Sequence, residues 1–164
     1  MRKITQKFII INVIIVISFF LIFSCTERTS NNNKLMTSKN NKLVDALENV
    51  TIKPRGELVE ISSTNFRLDY YDVSEKDTHV KFLEAHDYQG GGPSWLGIIY
   101  GAVKMSDPSL LDRIRFDDEA DGIAIWSSEK EILMKIGRLI SVVKRDEKIL
   151  IEAIRIAEED GQME

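Results

Sequence analysis

The spacing of apolar positions changes five times along this chain, and each change marks the start of a new segment. Phe8 to Phe23 reads FIIINVIIVISFFLIF, sixteen residues interrupted only by Asn12 and Ser18. From Thr26 to Lys42 the apolar positions nearly vanish into Asn, Ser, Thr and Lys. Leu58-Val59-Glu60-Ile61 then has strand composition. Phe66, Leu68 and Tyr70 alternate with Arg67, Asp69 and Tyr71, which predicts a strand with two unlike faces. The Ser-Ser-Thr-Asn between them is a turn signal, so the pair reads as a hairpin.

Helical spacing follows. Ser74, with Asp77 three residues on, can start a helix running to about His86, with Val80, Leu83 and His79 along one side. Three glycines, Gly90 to Gly92, stop it: glycine supplies the positive φ that ends a helix, and Ser94 after Pro93 can cap the next. Leu96, Ile99, Tyr100 and Val103 mark that next helix, which Pro108 ends before a Leu110-Leu111 turn. Ile114 to Phe116 and Ile123 to Trp126 read as two more strands, joined by the turn Asp117 to Gly122. Ser128 with Glu131 is a capping box, and the helix after it carries Ile132, Leu133, Ile136, Leu139, Ile140 and Val143 in one stripe. A last helix starts near Asp146, with Ile149, Leu150, Ala153, Ile154 and Ala157, and Gly161 closes it.

Strands and helices come in blocks without strict alternation. This predicts an α+β fold: a small mixed domain of short antiparallel strands packed on about four helices. No internal repeat is present.

The N-terminal run is short for a membrane-spanning helix, which needs about 20 apolar residues. Arg2, Lys3 and Lys7 precede it with no acid, as in a secretory signal. Ile22-Phe23-Ser24-Cys25 resembles the lipobox of bacterial lipoproteins. That resemblance implies cleavage before Cys25 and diacylation of its thiol; the alternative is an uncleaved anchor helix with an incidental thiol. The expected organisation is a signal peptide over 1–24, a lipidated Cys25 and flexible tether over 25–43, and an α+β domain over 44–164. The tether has too little to bury to offset its ordering entropy. Either way the domain faces the periplasm or cell surface, held at the membrane by its N-terminus.

Cys25 is the only cysteine, which excludes an intramolecular disulfide and a cysteine-based zinc site. Removal of residues 1–24 takes away Arg2, Lys3 and Lys7 and moves the formal charge from −4 to −7. An acidic chain argues against nucleic acid as a partner.

The candidate chemistry is sparse. The glycine loop has no lysine after it and no strand before it, so it fails the tests for a phosphate-binding loop. Asp117, Glu119, Asp121 and Gly122 mimic the start of a calcium loop, but the twelfth position is Ser128 and the flanks are strands. His79 and His86, seven residues apart, lack a third clustered ligand. No Gly-x-Ser-x-Gly elbow is present. No catalytic residue, metal or cofactor is expected.

Residues 80–159 resemble the Immunity protein 51 family of bacterial polymorphic-toxin systems. Gly90, Gly92 and Trp95 match its glycine-rich segment opening a helix, and Phe116, Asp117 and Glu119 match its apolar-acidic turn before a strand. Two amphipathic helices close both. Pro93, Ser94 and Asp118 depart from the pattern. The resemblance implies a non-enzymatic binder of a cognate toxin made by its own or sibling cells. Clustering and sign single out Asp117, Asp118, Glu119 and Asp121, with Trp126 nearby, as the contacting face. Alternatively, Asp117 and Glu119 hold their loop by accepting backbone amides. An envelope lipoprotein with a structural or ligand-binding role is the other functional reading.

Overall fold

Asn40 opens a helix that the sequence pattern did not predict and whose first residues fall within the expected tether. The computed structural model divides into units of residues 1–36 and 37–164; residues 39–71 and 78–164 are described here. The expected signal peptide, Cys25, and the Ser74 and Asp77 start signals all lie outside the described residues. Among the described residues no helix is long and apolar enough to cross a membrane.

Helix α1 spans Asn41–Glu48. The Asn40 carboxamide accepts the Leu43 N–H at 3.2 Å, a standard N-cap. Leu43, Ala46 and Leu47 are buried at helical spacing. Asn41, Lys42 and Leu43, expected in a flexible tether over 25–43, belong to this helix. Three apolar residues in a polar run were too brief a signal to show a helix whose stability comes from packing.

Strands β1 (Glu57–Ser62) and β2 (Asn65–Tyr70) form the expected hairpin. Helix α2 covers Thr78–Ala85 and helix α3 covers Gly92–Ser106. A 3-10 turn, Pro108–Arg113, leads into β3 (Arg115–Glu119) and β4 (Gly122–Ser127). Helices α4 (Lys130–Val143) and α5 (Glu147–Glu159) complete the domain. The fold is α+β, with five α-helices among the described residues.

All strand pairs are antiparallel, in the order β1-β2-β4-β3. The central pair sets Leu68 opposite Ile125 and Tyr70 opposite Ile123, all essentially sealed from solvent. That face packs on α3 and α4. Helix α3 is buried nearly all round, as expected of a central helix. It packs most extensively on α5. At that crossing a β-carbon on Gly101 would lie under 3.0 Å from the Ala153 carbonyl oxygen, so only glycine lets the two backbones approach.

Local structure departs from expectation in three places, two helix starts and one strand. Ser94 does not cap α3; Gly91 occupies the cap position, and Ser94 is buried inside the first turn. Its hydroxyl accepts the Gly90 N–H at 2.9 Å and donates to the Glu164 carboxylate. The Ser128–Glu131 capping box does not form. Glu129 stands at the cap without a side-chain cap bond and instead pairs with Arg113 at 2.5 Å. Asp117 to Glu119 extend β3 instead of turning, so the turn shrinks to Ala120-Asp121. Strand pairing across β4 satisfies more backbone groups than a six-residue loop could.

The last helix starts near Asp146 as expected, and Asp146 caps it, accepting Lys148 and Ile149 N–H at 3.2 and 3.3 Å. It also binds Lys42 of α1 at 2.7 Å. The Lys42 ammonium, followed by these amides, holds its carboxyl below the usual value against an opposing desolvation effect. Its stabilising contribution is then present above the unfolded-state value near 3.8 and fades as pH falls through the lower folded value. Replacement of Asp146 by alanine is expected to cost about 1 kcal/mol at pH 7. Urea titrations of both proteins check this: their stability difference is expected to shrink below about pH 4.

Candidate functional site

The glycine loop is built against the β3–β4 turn. Gly90 has φ +78°, and Gly92 donates its N–H to the Ala120 carbonyl at 3.3 Å. A β-carbon at Gly92 would lie under 3.0 Å from the carbonyl oxygens of both Glu119 and Gly122. The neighbouring amides are committed too: Gly90 N–H donates to the Ser94 hydroxyl, and Gln89 N–H to the Glu164 carboxylate at 2.7 Å. Trp95, three residues on, is buried edge-on against Tyr70 at 5.3 Å between ring centroids. The Lys144 ammonium sits 4.9 Å from the Trp95 ring centroid, within reach of a cation–π attraction. Gly92 and Trp95 therefore fix the hairpin and the sheet to α3. Phe116, half-buried opposite Ile125, does the same from β3.

The other side of the sheet carries no helix among the described residues. Register sets Val59, Arg67, Trp126 and Arg115 in one row across all four strands. The next row is Glu57, Asp69, Ala124 and Asp117. Both guanidinium carbons stand 5.2 Å from the Trp126 ring centroid, so the indole lies between two arginines. Arg67 is held by Asp69, with Nε 2.6 Å from Oδ1 and Nη2 2.7 Å from Oδ2. That hydrogen bond raises the Arg67 pKa further. Arg115 is held more loosely: Asp117 is 3.8 Å away, and both side chains are more than half exposed. Tyr71, also more than half exposed, lies against Gly122 at the end of this face.

Alternation divides the four acids chosen from the sequence. Asp117 and Glu119 share the Trp126 side, whereas Asp118 pairs with Ile123 on the opposite side. Asp121 stands in the turn. All four are exposed. Among the described residues neither Asp117 nor Glu119 accepts a backbone amide; the contact Asp117 makes is the Arg115 ion pair. Arg67 and Arg115 were not singled out from the sequence. The alternation of β2 already placed Arg67 on the polar face, but only the register reveals that Trp126 lies between it and Arg115.

The two histidines bond backbone carbonyls. Nε2 of buried His79 donates to the Lys144 carbonyl at 3.0 Å, and Nδ1 of His86 donates to the Phe82 carbonyl at 2.8 Å. No cluster of three metal-ligating side chains occurs among the described residues. A shallow concavity of about 360 Å³ lies between Lys53, Pro54, Arg55, Gly56, Ser141 and Arg145. Its cationic lining is unlike the mostly apolar walls of small-molecule pockets.

No curated protein and no solved structure matches the chain. The family model described as Immunity protein 51 matches residues 57–159, from the first residue of β1 to the last of α5. That span covers well over half of the sequence and contains both motifs and the whole sheet: the chain belongs to the Immunity protein 51 family.

Proposed function

We propose that this protein is an exported, membrane-tethered immunity protein that binds a cognate bacterial toxin and neutralises it by occlusion, without catalysis. The family match carries the toxin-neutralising part of this reading. The sheet face on which no helix packs among the described residues, together with the acidic hairpin tip, provides a surface for it. Occlusion needs an interface on the order of 1,200–2,000 Å² of total buried area, and no chemistry by the immunity protein itself. The acids Asp117, Asp118, Glu119 and Asp121 would speed capture of a basic toxin surface by long-range attraction.

Export rests on the basic n-region, the apolar run and the lipobox-like Ile22 to Cys25. A tethered protein meets its toxin at the membrane or in the periplasm. This favours a toxin that acts on the envelope or is intercepted on entry.

Contact competition on solid medium tests the reading, with the parent strain set against a mutant lacking this gene. The mutant is expected to be killed, and the intact gene to rescue it. Cys25→Ala is expected to abolish incorporation of a palmitate analogue and to weaken rescue at equal protein level. Equal growth of mutant and parent would point instead to an envelope lipoprotein with a structural or ligand-binding role. Full protection by a version confined to the cytosol would overturn the site of action.

A further inference from the structure

We propose that the toxin docks across the open face of the sheet, centred on the Arg67–Trp126–Arg115 stack, with the acidic hairpin tip as its rim. The proposal rests on the immunity reading above and names the surface that performs it. The occupant is a toxin domain presenting hydrogen-bond acceptors within an apolar patch at the centre and basic side chains at the edge.

Four observations point there. First, the side chains are those that dominate binding energy at interfaces: Trp126 between two arginines, with exposed Tyr71 at the margin. Second, the two arginines are unequally committed. Asp69 holds Arg67 at 2.6 Å, while Asp117 stands 3.8 Å from Arg115. Arg115 can therefore exchange Asp117 for a carboxylate on the partner and remain stacked on the indole. Third, the Trp126 Nε1–H is buried, and no acceptor among the described residues reaches it. A buried donor in this position costs free energy until an acceptor is supplied. Fourth, these side chains stand on paired strands within a sheet, so little ordering entropy is lost on docking.

Charge defines the partner. Asp117 and Glu119 border the stack, and Asp118 and Asp121 extend the negative rim around the hairpin end. That arrangement complements a basic edge. A second copy of this chain is the poorer occupant, since facing copies would bring guanidinium against guanidinium and acid rim against acid rim. Size agrees with a centre plus a rim. Four strands about 4.8 Å apart and about 20 Å long give a face of roughly 400 Å². A standard partner footprint is about 800 Å². The face alone is too small, and the tip and Tyr71 enlarge it.

Complementation in the same contact competition tests this, with Trp126→Ala, Arg115→Glu and the control Ile151→Lys, on the exposed side of α5. Protection is followed as expression is titrated, and melting temperature is measured for each purified mature domain. Arg115→Glu tests the surface even where Trp126→Ala weakens the fold, because the Arg115 side chain is mostly exposed. Each face variant is expected to need about 30-fold more protein for half-protection, the loss typical of an interface anchor. Ile151→Lys and the intact chain are expected to protect alike. Should the intact chain protect and folded Arg115→Glu protect equally well, this docking surface is wrong and the immunity reading survives. Should the intact chain give no protection at all, both fall. A stable dimer of the isolated chain that Arg115→Glu dissociates would also overturn the assignment, because the face would then be occupied by a second copy.

Discussion

Gly92→Ala is expected to destabilise the domain by about 3 kcal/mol, the upper end of the usual cost of overpacking. The physical reason is space. The added β-carbon would fall under 3.0 Å from the Glu119 and Gly122 carbonyl oxygens, both of them backbone atoms at the β3–β4 turn. A flexible side chain could move aside; here the hairpin itself would have to shift. The Gly92 N–H bond to Ala120 would be lost with it. Gly90→Ala makes the opposite test in the same loop. Nothing lies within 4 Å of a β-carbon there, but φ is +78°, so its cost is the left-handed backbone penalty of about 1 kcal/mol. Urea midpoints of the two variants would separate crowding from backbone strain. Equal midpoints would mean that the loop does not press on the hairpin. Gly92→Ala should also lose protection in competition assays, since the displaced hairpin carries Arg115, Asp117 and Trp126.

Arg138→Met is expected to cost a similar amount, about 3 kcal/mol, by leaving buried acceptors unpaired. Arg138 is 3% exposed in the middle of α4. Its Nε donates to the Ala46 carbonyl at 3.0 Å and its Nη2 to the Leu47 carbonyl at 2.5 Å. Those carbonyls belong to the last turn of α1, where the helix dipole favours a cation. Glu131 adds a longer contact at 3.3 Å. An eight-residue helix has little stability of its own. Loss of the guanidinium should therefore free α1 before the rest of the domain. Amide hydrogen exchange would show it: protection over Asn41–Glu48 should fall in the variant while β2 and β4 stay protected. Unchanged exchange in α1 would mean that Leu43, Ala46 and Leu47 hold the helix by packing alone.

Both positions show where sequence reasoning reached its limit. Gly92 was visible as one of three glycines, and its match to the family motif was visible too. What it does was not, because the crowding atoms come from the β3–β4 turn, some thirty residues later. Arg138 lies between Ile136 and Leu139 of the apolar stripe of α4 and is buried with them. Nothing local says that it reaches α1, whose first three residues fall within the expected tether. The acidic run misled differently: Asp117-Asp118-Glu119 has turn composition, yet pairing with Ala124, Ile123 and Gly122 holds it in a strand.

The sequence by itself determined the block order of strands and helices and hence the α+β class, because periods of two and 3.6 residues are written locally. It determined the hairpin turn between β1 and β2, the start of α5 near Asp146 and its end at Gly161, because those depend on a few adjacent residues. It also supplied the family, through two short motifs. Only the tertiary structure decided what the motifs are for. Gly92 and Trp95 prove to be the joint between α3 and the sheet. The face left without a helix among the described residues carries a row of residues from four strands that are adjacent only once register is set. Arg67, Trp126 and Arg115 are up to 59 positions apart in the chain and within one cation–π stack in space. Side-chain alternation can name the face of each strand, but strand order and register are long-range choices made by burial of Leu68, Tyr70, Ile123 and Ile125.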